Sequence, residues 1–210
     1  QADGREVLTI DARCIEAYRG RADVLRRRGE WKHRAEDDPT TDWQDALTDL
    51  VRARALKPDD ASVERLTGGL YHRLGERKEF KGEDPRGEWR QALDWLGKSI
   101  AHDPSSAPGL VNEATVHESL AVWKEAHAED PAEEFRKVVE GCEKALSLDP
   151  RLELAAQKLG DAWLGLGARN LKRGEAAMED VQQALTAYDR AVAIRTDNWV
   201  VHLRRGVALE

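Results

Sequence analysis

The amino-acid sequence repeats itself at an interval of 46 residues, and this periodicity constrains the fold more than any other feature. Shifting the chain by that interval aligns four short segments, which begin at Trp43, Trp89, Phe135 and Val181. Each starts with a large apolar residue, continues with two polar ones and ends with two apolar ones. A period of about 20–50 residues is typical of proteins whose units cannot bury an apolar face alone and stack to form a continuous core. The chain is therefore predicted to be a repeat protein.

Small residues, prolines and acidic corners keep the same interval. They are the small residues Ala53, Ser99, Ala145 and Ala191, a second small set at Gly68, Ala114, Gly160 and Gly206, the prolines Pro58, Pro104 and Pro150, and the corners Asp38-Pro39, Asp84-Pro85 and Asp130-Pro131. The last copy departs from the pattern, with Thr196 for the proline and Ala176-Ala177 for the corner. In the first copy we assign Gly20 to the small position, displaced by a two-residue insertion.

The residues between these prolines and Asp-Pro corners predict helices. Ala, Leu, Arg, Glu and Lys dominate, without the alternation of apolar and polar residues that indicates strands. An Asp followed by Pro and acidic residues favours a helix start, with Asp capping the free amides and Pro in the first helical position. Apolar residues at three-and-four spacing, such as Phe135, Val138 and Cys142, continue that helix for about 18 residues to the next proline. A first helix then leads from that proline to the next corner.

Several of these positions together resemble the tetratricopeptide (TPR) signature. They are a small residue in the first helix (Gly68, Gly160), two small residues seven apart in the second (Ala92 and Ser99, Ala184 and Ala191), a large residue between those two (Leu96, Tyr188) and a closing proline (Pro104, Pro150). The resemblance implies an all-α fold, a right-handed solenoid of antiparallel helix pairs. HEAT-type repeats of about 40–47 residues are the structural alternative, but the Gly, Ala and Pro positions favour TPR.

The repeat departs from the TPR family in length. The family repeat has about 34 residues, and the 12 extra residues here all lie between the Gly and Ala positions of the two helices. We expect both helices to be longer and to meet at a raised corner such as residues 81–85. The predicted organisation is one array, with residues 1–12 ending a preceding second helix, repeats at 13–58, 59–104, 105–150 and 151–196, and residues 197–210 starting a further helix. Because both ends hold partial repeats, we expect a fragment of a larger multidomain protein.

Signals of catalysis and cofactor binding are missing from the sequence. It has no phosphate-binding glycine loop, no Gly-x-Ser-x-Gly and no pair of histidines at zinc-site spacing, and Cys14 and Cys142 lie far apart. We therefore predict no enzyme activity, no metal and no cofactor. The net charge of −7 disfavours nucleic acid as a partner, and no apolar run of about 20 residues suggests a membrane span. A cytoplasmic setting is the expectation.

Tryptophans and arginines form two further patterns. Trp43 and Trp89 share one repeat position, and Trp31 and Trp123 share another, eight residues before the corner proline. We interpret them as core residues, with exposure of Trp31 or Trp123 as the alternative. A basic run comprises Arg19, Arg21, Arg26, Arg27, Arg28, Lys32 and Arg34. It predicts a solvated helix face paired with carboxylates of the neighbouring repeat, Asp37 and Asp38 included, and the alternative is a site for an acidic partner or a nucleic-acid phosphate.

The resemblance also implies a binding surface, because in TPR arrays the first helices line a concave face across which peptides lie. The groove residues that it implies here are Arg21, Arg65, His72, Arg73, Asn112, Thr115, Lys158 and Asp161. Arg65, Asn112 and Lys158 would form a ladder of donors for a carboxylate or an acidic peptide. The family's carboxylate clamp is incomplete, since Gly69 and Leu154 stand where two of its donors should be. An ordinary polar groove is the alternative.

The leading functional hypothesis is a non-catalytic scaffold that binds a protein or peptide partner on this concave face. A second hypothesis is the regulatory or substrate-recruiting arm of a multidomain enzyme such as a bacterial serine/threonine kinase. A third is a homo-oligomer, a self-associating array whose ends stack through Trp199, Val200 and Leu203.

Overall fold

The computed structural model describes residues 14–209, which form helices joined by short turns, with no strand among them. The helices are α1 (Ile15–Arg34), α2 (Thr40–Leu56), α3 (Ala61–Phe80), α4 (Arg86–His102), α5 (Ala107–Ala126), α6 (Ala132–Leu148), α7 (Glu153–Lys172), α8 (Met178–Ile194) and α9 (Trp199–Val207). The predicted all-α class is confirmed. The helix expected in residues 1–12 lies outside the described residues.

The helices follow the sequence interval closely. The first helices α1, α3, α5 and α7 each have 20 residues and begin 46 residues apart, and the second helices α2, α4, α6 and α8 each have 17. Because α1 keeps this register, the predicted two-residue insertion is wrong. Ala22 occupies the small position and is 2% exposed. A Cβ atom on Gly20 would meet nothing within 4 Å.

Each first helix ends in a left-handed turn that redirects the chain at the corner. The residues with positive φ are Glu36 (61°), Gly82 (74°), Ala128 (58°) and Gly174 (71°), again 46 apart. At the second corner the amide of Gly82 donates to the carbonyl of Glu79 (2.8 Å), and that of Glu83 donates to Lys78 (2.9 Å). This pair of bonds is the Schellman motif, which satisfies carbonyls that the helix end leaves free.

The second helices begin one residue later than the sequence predicts. Pro85 immediately precedes α4 instead of being its first residue. The Asp84 carboxylate accepts a hydrogen bond from the amide of Arg86 at 3.0 Å. Hydrogen bonds from the side chain and the amide of Arg86 lower the pKa of Asp84 to about 2. The same backbone bond recurs from Thr40 to Asp38 and from Ala132 to Asp130, so these aspartates do satisfy an amide at the helix start.

The described chain divides into two compact units, the first extending to Pro104 and the second beginning at Ser105. The first contains α1 to α4 and the second α5 to α9. In the first unit Trp43 and Trp89 are fully buried, as predicted. Their indole N–H groups donate to the carbonyls of Arg26 and His72, both at 3.3 Å.

Glycines bring the paired helices of each unit together. A Cβ atom on Gly75 would lie 2.3 Å from Nε1 of Trp89, and one on Gly160 would lie 2.5 Å from Cε1 of Tyr188. Neither position can therefore carry a side chain without moving a buried ring. This close approach is why small residues recur in the first helix.

Trp31 and Trp123 differ although they share a repeat position. Trp31 is 66% exposed, whereas Trp123 is 7% exposed and stacks on His127 at a centroid distance of 3.8 Å. The core interpretation therefore holds for Trp123 and the exposed alternative for Trp31.

Candidate functional site

The first helices of the first unit, α1 and α3, are joined by a network of ion pairs. Arg73 of α3 donates to Glu30 of α1 at 3.1 Å and to Glu76 at 2.6 Å. Arg26 pairs with Glu30 at 2.6 Å and with Asp23 at 2.7 Å. Burial acts to lower the pKa of Arg73, but Glu76 and Glu30 hold it above its usual value. The network fixes α1 against α3, and we call the surface around it the first-helix face.

Arg65 lies beside this network without joining it. Its side chain is half-buried, and among the described residues it makes no hydrogen bond and no ion pair. Burial and the neighbouring charges of Arg26 and Arg19 lower the pKa of Arg65, against the opposing charge of Asp23. A guanidinium with unused donors, set among other arginines, is suited to bind a carboxylate in bidentate fashion.

Arg21 and His72, the other predicted groove residues of this unit, are engaged elsewhere. Arg21 forms a bidentate pair with Asp49 of α2, whose side chain is fully buried. His72 is 5% exposed, and its ring lies 6.4 Å from that of Trp89. Both side chains therefore hold helices together, so among the described residues of this unit Arg65 is the predicted donor with free capacity.

The predicted groove residues of the second unit are mostly paired. Lys158 is 8% exposed and donates to Glu118 at 2.5 Å. Asp161 accepts bonds from the Tyr188 hydroxyl at 2.7 Å and from Arg204 at 2.9 Å. Burial raises the pKa of Asp161, although both partners act to lower it.

Thr115 and Asn112 are the two remaining predicted groove residues of the second unit. The Thr115 hydroxyl donates to the carbonyl of Val111 within its own helix at 2.7 Å. The side chain of Asn112 makes no hydrogen bond within the part of the chain that the structure describes. Of the predicted ladder, Arg65 in the first unit and Asn112 in the second thus keep unused donors, and Lys158 does not.

The basic run of α1 is largely neutralised by carboxylates. Arg28 and Lys32 pair with the buried Asp42 at 2.5 and 2.9 Å, and Arg27 pairs with Asp23 at 2.9 Å. The partners thus belong to α1 itself and to α2, which makes the run a solvated, paired helix face. The predicted partners Asp37 and Asp38 are not among them within the described residues, and the Asp38 carboxylate accepts from Thr40 instead.

Sequence reasoning missed a set of pairs that recurs with the repeat. Each joins the last turn of a first helix to the first turn of the following second helix. The pairs are Lys32 to Asp42 (2.9 Å), Lys78 to Glu88 (2.6 Å), Lys124 to Glu134 (2.8 Å) and Asn170 to Asp180 (2.7 Å). The donors of these pairs and their acceptors each keep the 46-residue interval. The alignment that revealed the repeat therefore also contained the signal for these pairs.

Within residues 14–209 the structure holds no group of His, Cys, Asp and Glu side chains arranged for a metal ion. None of the helices in that range combines the length and the apolar character needed to cross a membrane.

Solved structures share this fold, although no protein-family model and no curated protein matches the sequence. TTC0263, a TPR protein of Thermus thermophilus, matches with a TM-score of 0.67 at 18% identity, over 98% of this chain and 87% of that one. MamA matches with a TM-score of 0.61 at 19% identity, over 92% of this chain and 85% of that one. The human IFIT1 dimer with m7Gppp-AAAA gives 0.64 at 17% identity, over 98% of this chain and 40% of that one. The predicted TPR-like helical repeat fold is confirmed.

Proposed function

We propose that this protein is a non-catalytic scaffold that binds an acidic segment of a partner protein on the first-helix face of its first unit. The observation that carries the proposal is Arg65, a half-buried guanidinium with no partner among the described residues. The TPR-like fold supports it, because the family resemblance implies peptide binding on first helices.

The charges around Arg65 favour an anionic ligand. Arg19 and Arg26 lie close enough to lower its pKa, and Asp23, the acidic neighbour, already pairs with Arg26 and Arg27. A carboxylate from a partner would occupy the unused donors and relieve the repulsion among the arginines. Since the ion pairs of Arg73 hold α1 against α3, little order would need to be created on binding.

A displayed library of random peptides, selected against the chain, tests this function. We expect the recovered peptides to be rich in Asp and Glu. Arg65→Gln should weaken their binding by about tenfold, the effect of losing a charged hydrogen-bonded pair of about 1.4 kcal/mol.

The matched control is Arg90→Gln, because Arg90 is an exposed arginine of α4. This control should bind like the unchanged chain. Recovery of peptides without acidic residues, or equal binding by both variants, would refute the proposal.

A second candidate function is self-association through α9. Trp199, Leu203 and Val207 follow one another at four-residue spacing and are 72%, 60% and 54% exposed, so they form an apolar stripe on one side of the helix. Light scattering over a dilution series should then show a dimer that Leu203→Glu converts to monomer. A monomer at every concentration would exclude it.

A further inference from the structure

The first unit contains a second surface feature, a cleft on the side of the second helices. It has a volume of about 370 Å³ and is lined by residues of α2, the turn that follows, α3 and α4. Its apolar lining includes Leu47 and Val51 of α2, Tyr71 of α3 and Trp95 of α4, and the exposed Arg54 also lines it. None of the residues that form the first-helix face contributes to it. We call it the Trp95 cleft.

Two cations lie against the indole of Trp95. The guanidinium of Arg54 is 4.8 Å from the ring centroid, and the ammonium of Lys98 is 4.3 Å from it. Within the described residues neither cation forms an ion pair with a carboxylate. Among residues 14–209 no Asp or Glu lines the cleft, although the chain has 40 acidic residues. The cleft is therefore apolar inside and positively charged at its edge.

The wall of the cleft includes apolar surface that residues 14–209 leave uncovered. Val51 is 68% exposed, and Tyr71 and Trp95 are only partly buried, while Leu50, which also lines the cleft, is 1% exposed. An exposed branched side chain beside an open apolar cavity with a few polar groups is typical of a place where a ligand side chain inserts.

The second unit shows how the equivalent helices can close together. There α6 and α7 contact each other more extensively than α2 and α3 do. Gly165 of α7 allows this, because a Cβ atom at that position would lie 2.4 Å from the ring of Phe135 of α6. The equivalent residue of α3 is Arg73, whose side chain instead reaches Glu30 of α1. The first unit thus has a long charged residue where the second has the glycine that brings the helices together.

We propose that the Trp95 cleft binds one apolar side chain of a partner segment whose flanking residues are acidic. The apolar side chain would cover Val51 and Tyr71, and the flanking carboxylates would pair with Arg54 and Lys98. This site is distinct from the acidic-peptide site around Arg65.

NMR titration of the whole chain tests the proposal with three blocked hexapeptides. The probe is Glu-Glu-Ala-Phe-Glu-Glu, one comparator replaces every Glu by Lys, and the other replaces Phe by Ala. The readout is the indole N–H signal of Trp95, assigned by its disappearance in Trp95→Phe. We expect this signal to shift and saturate with the probe and to stay in place with both comparators.

Matched variants locate the binding. Val51→Glu puts a carboxylate at the rim and should weaken binding of the probe by about tenfold. Val24→Glu alters a similarly exposed valine of α1, at 62%, and should leave the shift of the Trp95 signal unchanged. Arg65→Gln should leave the shift of the Trp95 signal unchanged although it removes peptide from the first-helix face, which separates the two sites. Replacing Arg54 and Lys98 together by Gln should weaken binding and reduce its salt dependence without altering the apolar wall.

The opposite results would overturn the proposal. The first is a Trp95 signal that does not shift with the probe, and the second is one that shifts equally with all three peptides. The third is a shift that both Val51→Glu and the double Gln variant leave unchanged. The fourth is a shift that disappears in Arg65→Gln.

Discussion

Single residues at the corners differ in how well they suit their backbone conformation. The left-handed turn contains glycine at Gly82 and Gly174 but other residues at Glu36 and Ala128. A side chain in this region costs about 1 kcal/mol relative to glycine because Cβ crowds the backbone. Ala128 is exposed, so its replacement would remove strain without removing packing.

We therefore expect Ala128→Gly to raise the free energy of unfolding by about 0.5–1 kcal/mol, measured by urea denaturation. Ala126→Gly, the control, changes an exposed alanine at the end of α5 and should lower it by a similar amount, about 0.5–1 kcal/mol. A loss of stability in both variants would contradict the left-handed assignment.

The contact between Gly75 and Trp89 makes a second prediction at this scale. Gly75→Ala should lower the free energy of unfolding by about 3 kcal/mol, because the new Cβ would collide with a buried indole. Adding Trp89→Phe should restore part of that loss, since the equivalent residues of the second unit are the buried pair Ala121 and Phe135.

The matched control for this cycle is Gly69→Ala in the same helix, where the added Cβ would meet nothing within 4 Å. It should raise stability by about 0.5–1 kcal/mol through helix propensity. Additive effects of Gly75→Ala and Trp89→Phe in thermal denaturation would refute the steric account.

The tryptophans show what sequence can and cannot predict for single residues. Burial of Trp43 and Trp89 follows from apolar residues recurring at one position of a stacked unit. The difference in burial between Trp31 and Trp123 depends on a local partner. Trp123 stacks on His127, but the residue equivalent to His127 near Trp31 is Ala35, which offers no ring.

At the scale of helices, the Asp-Pro corners and closing prolines made the helix boundaries predictable. The side-chain pairs between helices could not be predicted from the sequence. The Asp-Pro corners and closing prolines predicted the helices to within a few residues, because these residue types have strong backbone preferences. The insertion at Gly20 was wrong because glycine was preferred over Ala22, which fits the small position equally well. The recurring pairs such as Lys78 to Glu88 join separate helices, so they depend on helix packing that spacing alone does not specify.

The pair at Glu134 predicts how stability depends on pH. His117 at 2.7 Å and Lys124 at 2.8 Å donate to its carboxylate and, against burial, lower the pKa of Glu134 from 4.5 to about 2. Because the folded pKa is the lower one, this stabilisation is present above about pH 4.5 and is lost as the pH falls toward 2. Glu134→Gln should lower the free energy of unfolding at neutral pH by about 1 kcal/mol.

The same variant should lose less stability than the unchanged chain between pH 4.5 and 2, measured by urea denaturation at each pH. Glu140→Gln, an exposed glutamate of the same helix, should leave both the neutral value and the pH profile nearly unchanged. If Glu134→Gln lost as much stability between pH 4.5 and 2 as the unchanged chain, the role assigned to the bonds of Glu134 with His117 and Lys124 would be contradicted.

At the scale of the whole molecule, the sequence predicted a repeat scaffold but only part of its surfaces. The fold could be predicted from the repeat interval and the small residues, because these features result from helix packing that every repeat shares. The binding residues could not be ranked from sequence, since Arg21 and Lys158 have the residue types of free donors yet are paired with Asp49 and Glu118. The Trp95 cleft arises where one unit departs from the repeat, so an alignment of common positions overlooks it.

The central claim is that Arg65 receives a carboxylate of a bound partner segment, and the most direct measurement is the NMR signal of its Nε–H group. The chain would be titrated with an acidic peptide recovered from the displayed library. We predict that the Arg65 signal shifts and saturates, while that of Arg73, which already donates to Glu30 and Glu76, hardly moves. A stationary Arg65 signal while the peptide binds, or a shift no larger than that of the exposed Arg90, would contradict the account.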